Sequence, residues 1–289
     1  MHVRPARADE DEAVLAVIVA RDIADIGRPD YTLEDVAADR GRPGSDVLVV
    51  EDDAAQLVAW ACVEDGEARV AVHPDCDGRG IGTLLRHAVE ARQREQGFAL
   101  RQSIVPTNVA AVAHLRAAGY ARRSVYVRMR AALRDAPRAP DTGVRQFDLQ
   151  REGAAVHALI AAAFSEIEGN VPMPFDAWHA EFAAKSEAAF RLALDDDDGL
   201  VAAAVGERWD GGVGYVARLA VARRARGRGH GRALLLALLD AFRAAGMVAA
   251  ELGVVGTNAP ATRLYESVGM QADFRVEGWE RVEPEWSSE

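Results

Sequence analysis

The sequence predicts an α/β protein built from two consecutive copies of one domain, each with a mixed order of strands and helices. Three observations carry this. Residues 68–82 (ARVAVHPDCDGRGIG) recur as residues 217–231 (ARLAVARRARGRGHG), with eight of fifteen positions identical at an offset of 149. Around each copy, strand-like and helix-like stretches alternate in the same order, as α/β folds require. Between the copies lies residues 134–143 (RDAPRAPDTG), with two prolines and no apolar periodicity, which reads as a linker. The expected domains are therefore residues 1–133 and 144–289. A length of 289 residues suits two domains, and either half can bury its own core.

In the first half, residues 3–5 are extended and Ala13, Leu15, Ile18 and Val19 follow helical spacing. Residues 47–50 and 56–63 read as adjacent strands around an acidic turn. Residues 70–72 form the strand that enters the glycine turn, and Leu84, Leu85, Ala88 and Ala91 mark the helix leaving it. A strand over 98–104 precedes a helix over 108–118 stopped by Gly119, and residues 124–129 close the unit. The second half repeats the order: extended 144–147, helix 154–164, strands 190–194 and 200–205, and strand 213–221 into the second turn. Leu234, Leu235, Leu238, Leu239 and Phe242 give a helical stripe. Strand 247–255, helix 259–268 ended by Gly269 and strand 271–282 follow.

Composition narrows the function. Thirty-four basic against forty-five acidic residues give a net charge of −11, which argues against nucleic acid and favours cationic small molecules. No stretch of eighteen apolar residues is present and the N-terminus lacks a signal-peptide core, so no membrane partner and a cytoplasmic location are expected. Cys62 and Cys76 have neither disulfide-framework nor metal-ligand spacing, and no metal is expected. The single lysine, Lys185, among many arginines and alanines reflects codon bias more readily than function.

The second glycine turn inverts the sign of this acidic chain. Arg218, Arg223, Arg224, Arg226, Arg228 and Arg232 fall within sixteen residues that contain no acid. Gly227, Gly229 and Gly231 let an anion approach the main chain at a helix N-terminus, where N–H groups and the helix dipole favour negative charge. A pyrophosphate fits that pattern; so does a merely solvated basic loop. The Lys-Ser/Thr of a P-loop is missing, and the glycine spacing is not that of a dinucleotide fold, although Glu251 falls near where a ribose-binding acid would stand.

Residues 221–233 resemble motif A of the GNAT superfamily of N-acetyltransferases, and Asn258-Ala-Pro-Ala-Thr-Arg-Leu-Tyr265-Glu-Ser-Val-Gly269-Met270 resembles its motif B. The resemblance covers nearly the whole chain as two domains, a layout like that of actinobacterial tandem members such as mycothiol synthase. It implies two consecutive GNAT-type acyltransferase domains, each a mixed, partly splayed sheet flanked by helices, with acetyl-CoA as cosubstrate held in the splay. By that resemblance, main-chain groups of Leu219 and Val221 pair with the pantetheine arm. The N–H groups of Arg226, Gly227, Gly229, Gly231 and Arg232 hold the pyrophosphate, Asn258 contacts the arm, and Tyr265 protonates the departing thiolate. A phenol with pKa about 10 keeps its proton at pH 7 and can serve so; a structural hydrogen bond is the plainer role.

The first copy departs from the motifs. Asp77 replaces the turn arginine, Asp75 adds negative charge, and Leu115 stands where Tyr265 stands in the second. Tyr120 reads as core packing and His114 as a solvated helix residue, so this half is expected to be degenerate. An attacking amine needs a base. Strand 213–221 offers no carboxylate at the position many family members use, so Glu251 is the first candidate and Glu166 and Glu168 are next. The segment from Phe164 to Trp178 mixes carboxylates and aromatics suited to a cationic acceptor, or is a plain helix connection. The expected activity is acetyl transfer from acetyl-CoA to the primary amine of a small molecule. Mycothiol synthase proper and a non-catalytic acyl-CoA-binding module are the alternatives. A monomer with an internal pseudo-dimer is expected, because single-domain members often pair.

Overall fold

The computed structural model describes residues 1–167 and 171–282. Its compact units comprise residues 1–126 together with the chain from Phe274, and residues 127–273. This differs from the expected division at 133 and 144: the final strand of the chain belongs to the first unit.

The first unit runs β1 (His2–Pro5), α1 (Asp11–Ile26), α2 (Leu33–Gly41), β2 (Asp46–Glu51), β3 (Leu57–Glu64), β4 (Glu67–Val72), α3 (Ile81–Glu95), β5 (Arg101–Ile104), α4 (Val109–Ala117) and the start of β6 (Tyr120–Ala132). Helix α2 starts on a reciprocal cap between Thr32 and Asp35, and α1 ends on left-handed Gly27. After the second unit the chain returns as β12 (Gln271–Arg281), and its residues 277–280 pair antiparallel with β5. The strand order is β1-β2-β3-β4-β5-β12.

The second unit contains β7 (Arg145–Gln146), α5 (Leu149–Phe164), α6 (Phe175–Lys185), β8 (Arg191–Asp196), β9 (Gly199–Trp209), β10 (Val213–Val221), α7 (His230–Ala244), β11 (Ala249–Val255) and α8 (Ala259–Glu266), in the strand order β6-β11-β10-β9-β8-β7. Strand alternation sets its two faces. Ala202, Ala204, Val216, Ala250, Leu252 and Val254 pack with the leucine stripe of α7, and Ala203, Val205 and Ala220 pack with α5 and α6 around Trp178 and Phe182. Gly206 and Gly214 leave room for the wholly buried Phe242 ring: a Cβ on Gly214 would sit 2.3 Å from it.

The expected linker is not free. Arg243 of α7 donates from Nε to the Leu133 carbonyl (2.6 Å) and from a terminal nitrogen to the Ala136 carbonyl (2.6 Å). Asp240 accepts from Arg138 (3.0 Å) and from the Ala139 N–H (2.8 Å). Leu133 and Ala136 are buried, so the prolines shape a strap on α7.

The splay is present in both units. Strand β10 pairs with β11 only through Val213, Gly214 and Tyr215, and β4 pairs with β5 only through Glu67, Ala68 and Arg69, although the first strand of each pair runs on. The β9–β10 register also shifts between Val216 and Arg218, a bulge at Ala217, whereas β3–β4 runs without a shift. No helix among the described residues is long and apolar enough to cross a membrane.

Candidate functional site

In the second unit the chain leaves β10 through a short helical turn at Arg223–Ala225, crosses the glycines and enters α7. Gly227 (φ 77°) and Gly229 (φ 86°) adopt the left-handed conformation that other residues resist. A Cβ on either would meet nothing within 4 Å, so the approach to the turn is open. Gly229 caps α7 without a side-chain hydrogen bond. Among the described residues, the N–H groups of residues 227–232 meet no protein acceptor. Six donors at a helix N-terminus fit a pyrophosphate.

Four expected contributors have other duties. The Arg226 N–H donates weakly to the Arg223 carbonyl at 3.4 Å, and its side chain forks onto Glu166 at 2.7 and 3.2 Å. Its Nε donates to the Val221 carbonyl at 3.1 Å, leaving Val221 only an N–H to offer. Gly231 is needed for packing as well: a Cβ there would press on Leu264 at 3.3 Å and Val221 at 3.4 Å. Because the Ala222 N–H is given to Val201 of β9, period-two alternation turns the N–H groups of Leu219 and Val221 toward the open splay. Asn258 caps α8, its Oδ1 accepting from the Ala261 N–H at 3.2 Å, which leaves its amide –NH2 for a ligand. Arg224 is ion-paired with Asp196 at 2.6 Å, while Arg228 and Arg232 form no ion pair among the described residues.

Tyr265, on α8, is half-buried, and burial together with the neighbouring Tyr215 phenol pushes its hydroxyl up to about 12. It therefore stays protonated through the neutral range. Tyr215 stacks on Trp209 with ring centroids 3.8 Å apart, and the Arg128 guanidinium lies over both rings at 4.9 and 5.4 Å. The composition of the strands gave no warning of this aromatic layer. A Trp and a Tyr flanking the Gly211-Gly212 turn were its only trace.

The candidate bases fare differently. Glu251 is 1% exposed and ion-paired with both Arg130 and Arg128, the latter at 3.5 Å. Those two ion pairs tie β11 to β6 and occupy both carboxylate oxygens of the residue the sequence offered first as a base. Glu166 is held low by its hydrogen bonds to Arg226. Glu168 lies outside the described residues. In the segment after α5, Trp178 enters the core while Phe175 stays partly exposed at the start of α6.

The first unit keeps the backbone of the turn and differs in the side chains around it. Gly78 (φ 74°) and Gly80 (φ 80°) repeat the open left-handed positions. Asp77 is paired with Arg21 of α1 at 3.0 Å, the mirror of the Arg226–Glu166 bridge with its polarity reversed, so its repulsion is smaller than its charge alone implies. Leu115 is buried and carries no hydroxyl, and Tyr120 is buried, donating to Glu90 at 3.1 Å. His114 accepts from Arg86 at 3.2 Å, and burial with that cation pushes its pKa down. Asp39, Cys62 and Glu64 offer ligand atoms within 4.8 Å of one another, but the Arg69 guanidinium already fills that cluster, 2.7 Å from Asp39 and 3.2 Å from Glu64.

Residues 154–270 match the model of the acetyltransferase (GNAT) family, and residues 43–127 match that of an acetyltransferase (GNAT) domain. A mycothiol acetyltransferase of Acidothermus cellulolyticus is 32% identical over 255 residues, covering 78% of this chain and 76% of the relative. The chain belongs to the GNAT acetyltransferase family. A second mycothiol acetyltransferase, from Thermobispora bispora, is 30% identical over 93% of this chain and 95% of its own length. Among solved structures, a GCN5-related N-acetyltransferase from Sphaerobacter thermophilus superposes with a TM-score of 0.85 at 23% identity, covering 96% of this chain and 94% of that one. A tandem GNAT protein from the clavulanic acid biosynthesis pathway gives 0.72 at 19% identity, covering 98% and 99%. These two show the fold. The chain is thus an acyltransferase of a family that uses acetyl-CoA, with two GNAT domains of mixed α/β architecture.

Proposed function

We propose that the second GNAT domain transfers acetyl from acetyl-CoA to the primary amine of a small molecule, and that the first domain does no chemistry. The carrying observation is the coincidence, in one unit only, of the free N–H cradle at residues 227–232 with a protonated phenol, Tyr265, on the helix after the splay. In this reading the cradle, with Arg228 and Arg232, which form no ion pair among the described residues, holds the pyrophosphate. The N–H groups of Leu219 and Val221 and the amide of Asn258 hold the pantetheine arm, and Tyr265 donates its proton as the thiolate leaves. Arg226 acts at one remove, fixing the turn through Val221 and Glu166.

The amine of a mycothiol precursor is the acceptor we place first, because two relatives named mycothiol acetyltransferase match over 76% and 95% of their lengths. Incubating the full chain with acetyl-CoA and a panel of amines that includes such a precursor, with CoA release and product mass as readouts, tests both statements. Binding of acetyl-CoA without release in the presence of any amine would leave a binding module instead.

A further inference from the structure

We infer that Glu207 of β9 is the general base that takes the proton of the acceptor's ammonium group, an inference that rests on the amine acetyltransferase reading above. The β9–β10–β11 register places Glu207 opposite Tyr215 and Tyr215 opposite Glu251, so the three side chains form one row across the face that carries α5 and α6. Both carboxylates in the row flank the strand position where the sequence shows no acid. They are not equivalent. Two arginines clamp Glu251. Glu207 makes no ion pair among the described residues, and its one side-chain hydrogen bond comes from the Trp209 indole N–H at 3.4 Å.

The surroundings suit proton transfer. Glu207 is 8% exposed, and burial raises its proton affinity, with Glu181 of α6 adding to the rise. Lys185 of α6, Arg218 of β10 and the Trp209 N–H act the other way. Arg128 of β6 faces the same aromatic layer from beyond Tyr215, already shared with Glu251. Burying a carboxylate without a cation is costly, and groups with proton affinity raised in this way gather at functional sites. Tyr215 stands opposite Glu207 in the register and its phenol neighbours that of Tyr265, so the base and the acid both lie near one ring.

The chemistry balances. The bound ammonium gives one proton to the Glu207 carboxylate, and the freed lone pair attacks the thioester carbonyl carbon. The C–N bond forms and the C–S bond breaks. The thiolate takes the Tyr265 proton, and the tyrosinate recovers one from the second N–H of the nascent amide. Glu207 then returns its proton to solvent, so one proton is released for each amide and CoA thiol formed.

Glu207→Gln keeps an acceptor for Trp209 and removes only the basicity. Wild-type kcat/KM should fall as pH drops through the Glu207 pKa, with an acid limb above that of an ordinary glutamate. In Glu207→Gln that limb should vanish and kcat/KM at pH 7 should fall by roughly 10²–10⁴-fold, with the acetyl-CoA Kd within about twofold by calorimetry. Glu207→Asp should restore the limb in part. Glu251→Gln should lower the melting temperature and leave the limb in place. A Glu207→Gln enzyme with the wild-type pH profile would overturn the assignment while leaving the acetyltransferase reading intact. A wild type that acetylates no amine would overturn both.

Discussion

Replacing Tyr265 with phenylalanine removes one oxygen and tests the proposed acid. The ring packs against the α7 core, and among the described residues no hydrogen bond fixes the hydroxyl, so folding loses little. Less than one net hydrogen bond, about 1 kcal/mol, is at stake, which for a domain of this size is under about 4 °C in Tm. The catalytic effect is far larger. A phenol at about 12 is all but completely protonated at pH 8, with roughly one molecule in 10⁴ ionised, so every enzyme molecule carries the donor that the substitution deletes. Loss of a positioned acid costs roughly 10²–10⁴-fold in rate, or about 2.7–5.5 kcal/mol of barrier. Single-turnover acetyl transfer, run beside a thermal melt and acetyl-CoA calorimetry, separates these quantities. We expect a collapsed rate with Kd and Tm nearly unchanged. Near-full single-turnover rate in Tyr265→Phe would refute the assignment, and a matching loss in Tyr215→Phe alone would move the acid to the neighbouring phenol.

Other outcomes follow from the same geometry. Gly229→Asp and Gly80→Asp strain their left-handed positions equally (φ 86° and 80°), so any difference in acetyl-CoA affinity reports the turns themselves; Gly229→Asp should cost more by calorimetry, and equal losses would defeat the asymmetry. Gly214→Ala drives a methyl to 2.3 Å from the Phe242 ring and should destabilise by at least about 1–3 kcal/mol in denaturant melts, whereas Gly82→Ala, with nothing within 4 Å, should not. The fragment 144–289 omits the buried Met129 and Leu133 and retains a strand whose partner, β5, lies in the first unit, so it should lack a cooperative melt; a stable, active fragment would show the missing strand to be dispensable.

The repeat, the α/β order and the glycine turns were legible because each rests on short-range pattern: period-two strands, a leucine stripe at helical spacing, and glycines where φ must be positive. Helix α2 was also written locally, in the Thr32–Asp35 cap, but its apolar face is too sparse to stand out, with Val36 its one buried hydrophobic residue. The base was not legible. Glu251 and Glu207 are both isolated glutamates in apolar strands, and only the register, which brings Arg128 and Arg130 to one and not to the other, tells them apart. The same limit hid the return of β12 to β5: a C-terminal strand shows its period in sequence, never its partner.

On the proposed reading, the two halves show how a duplicated site loses activity without losing its fold. Each unit ties its glycine turn to the region of its first helix with one ion pair, Asp77 to Arg21 in one and Arg226 to Glu166 in the other, so the tether survived even as the charges exchanged places. The arginine near the start of the splay is also shared. Arg218, on a bulged strand, lies over the rings of Phe164 and Phe182 at 5.9 and 5.6 Å, and Glu207 forms no ion pair among the described residues. Arg69, its counterpart, is hydrogen-bonded to Tyr31 and bridges Asp39 and Glu64 on an unbulged strand. Register makes Glu64 the counterpart of Glu207, since each stands two residues beyond the partner of its arginine. In the first unit that carboxylate is neutralised by the arginine. In the second, the bulge and the aromatic packing keep them from pairing, and the carboxylate retains the proton affinity that a base requires.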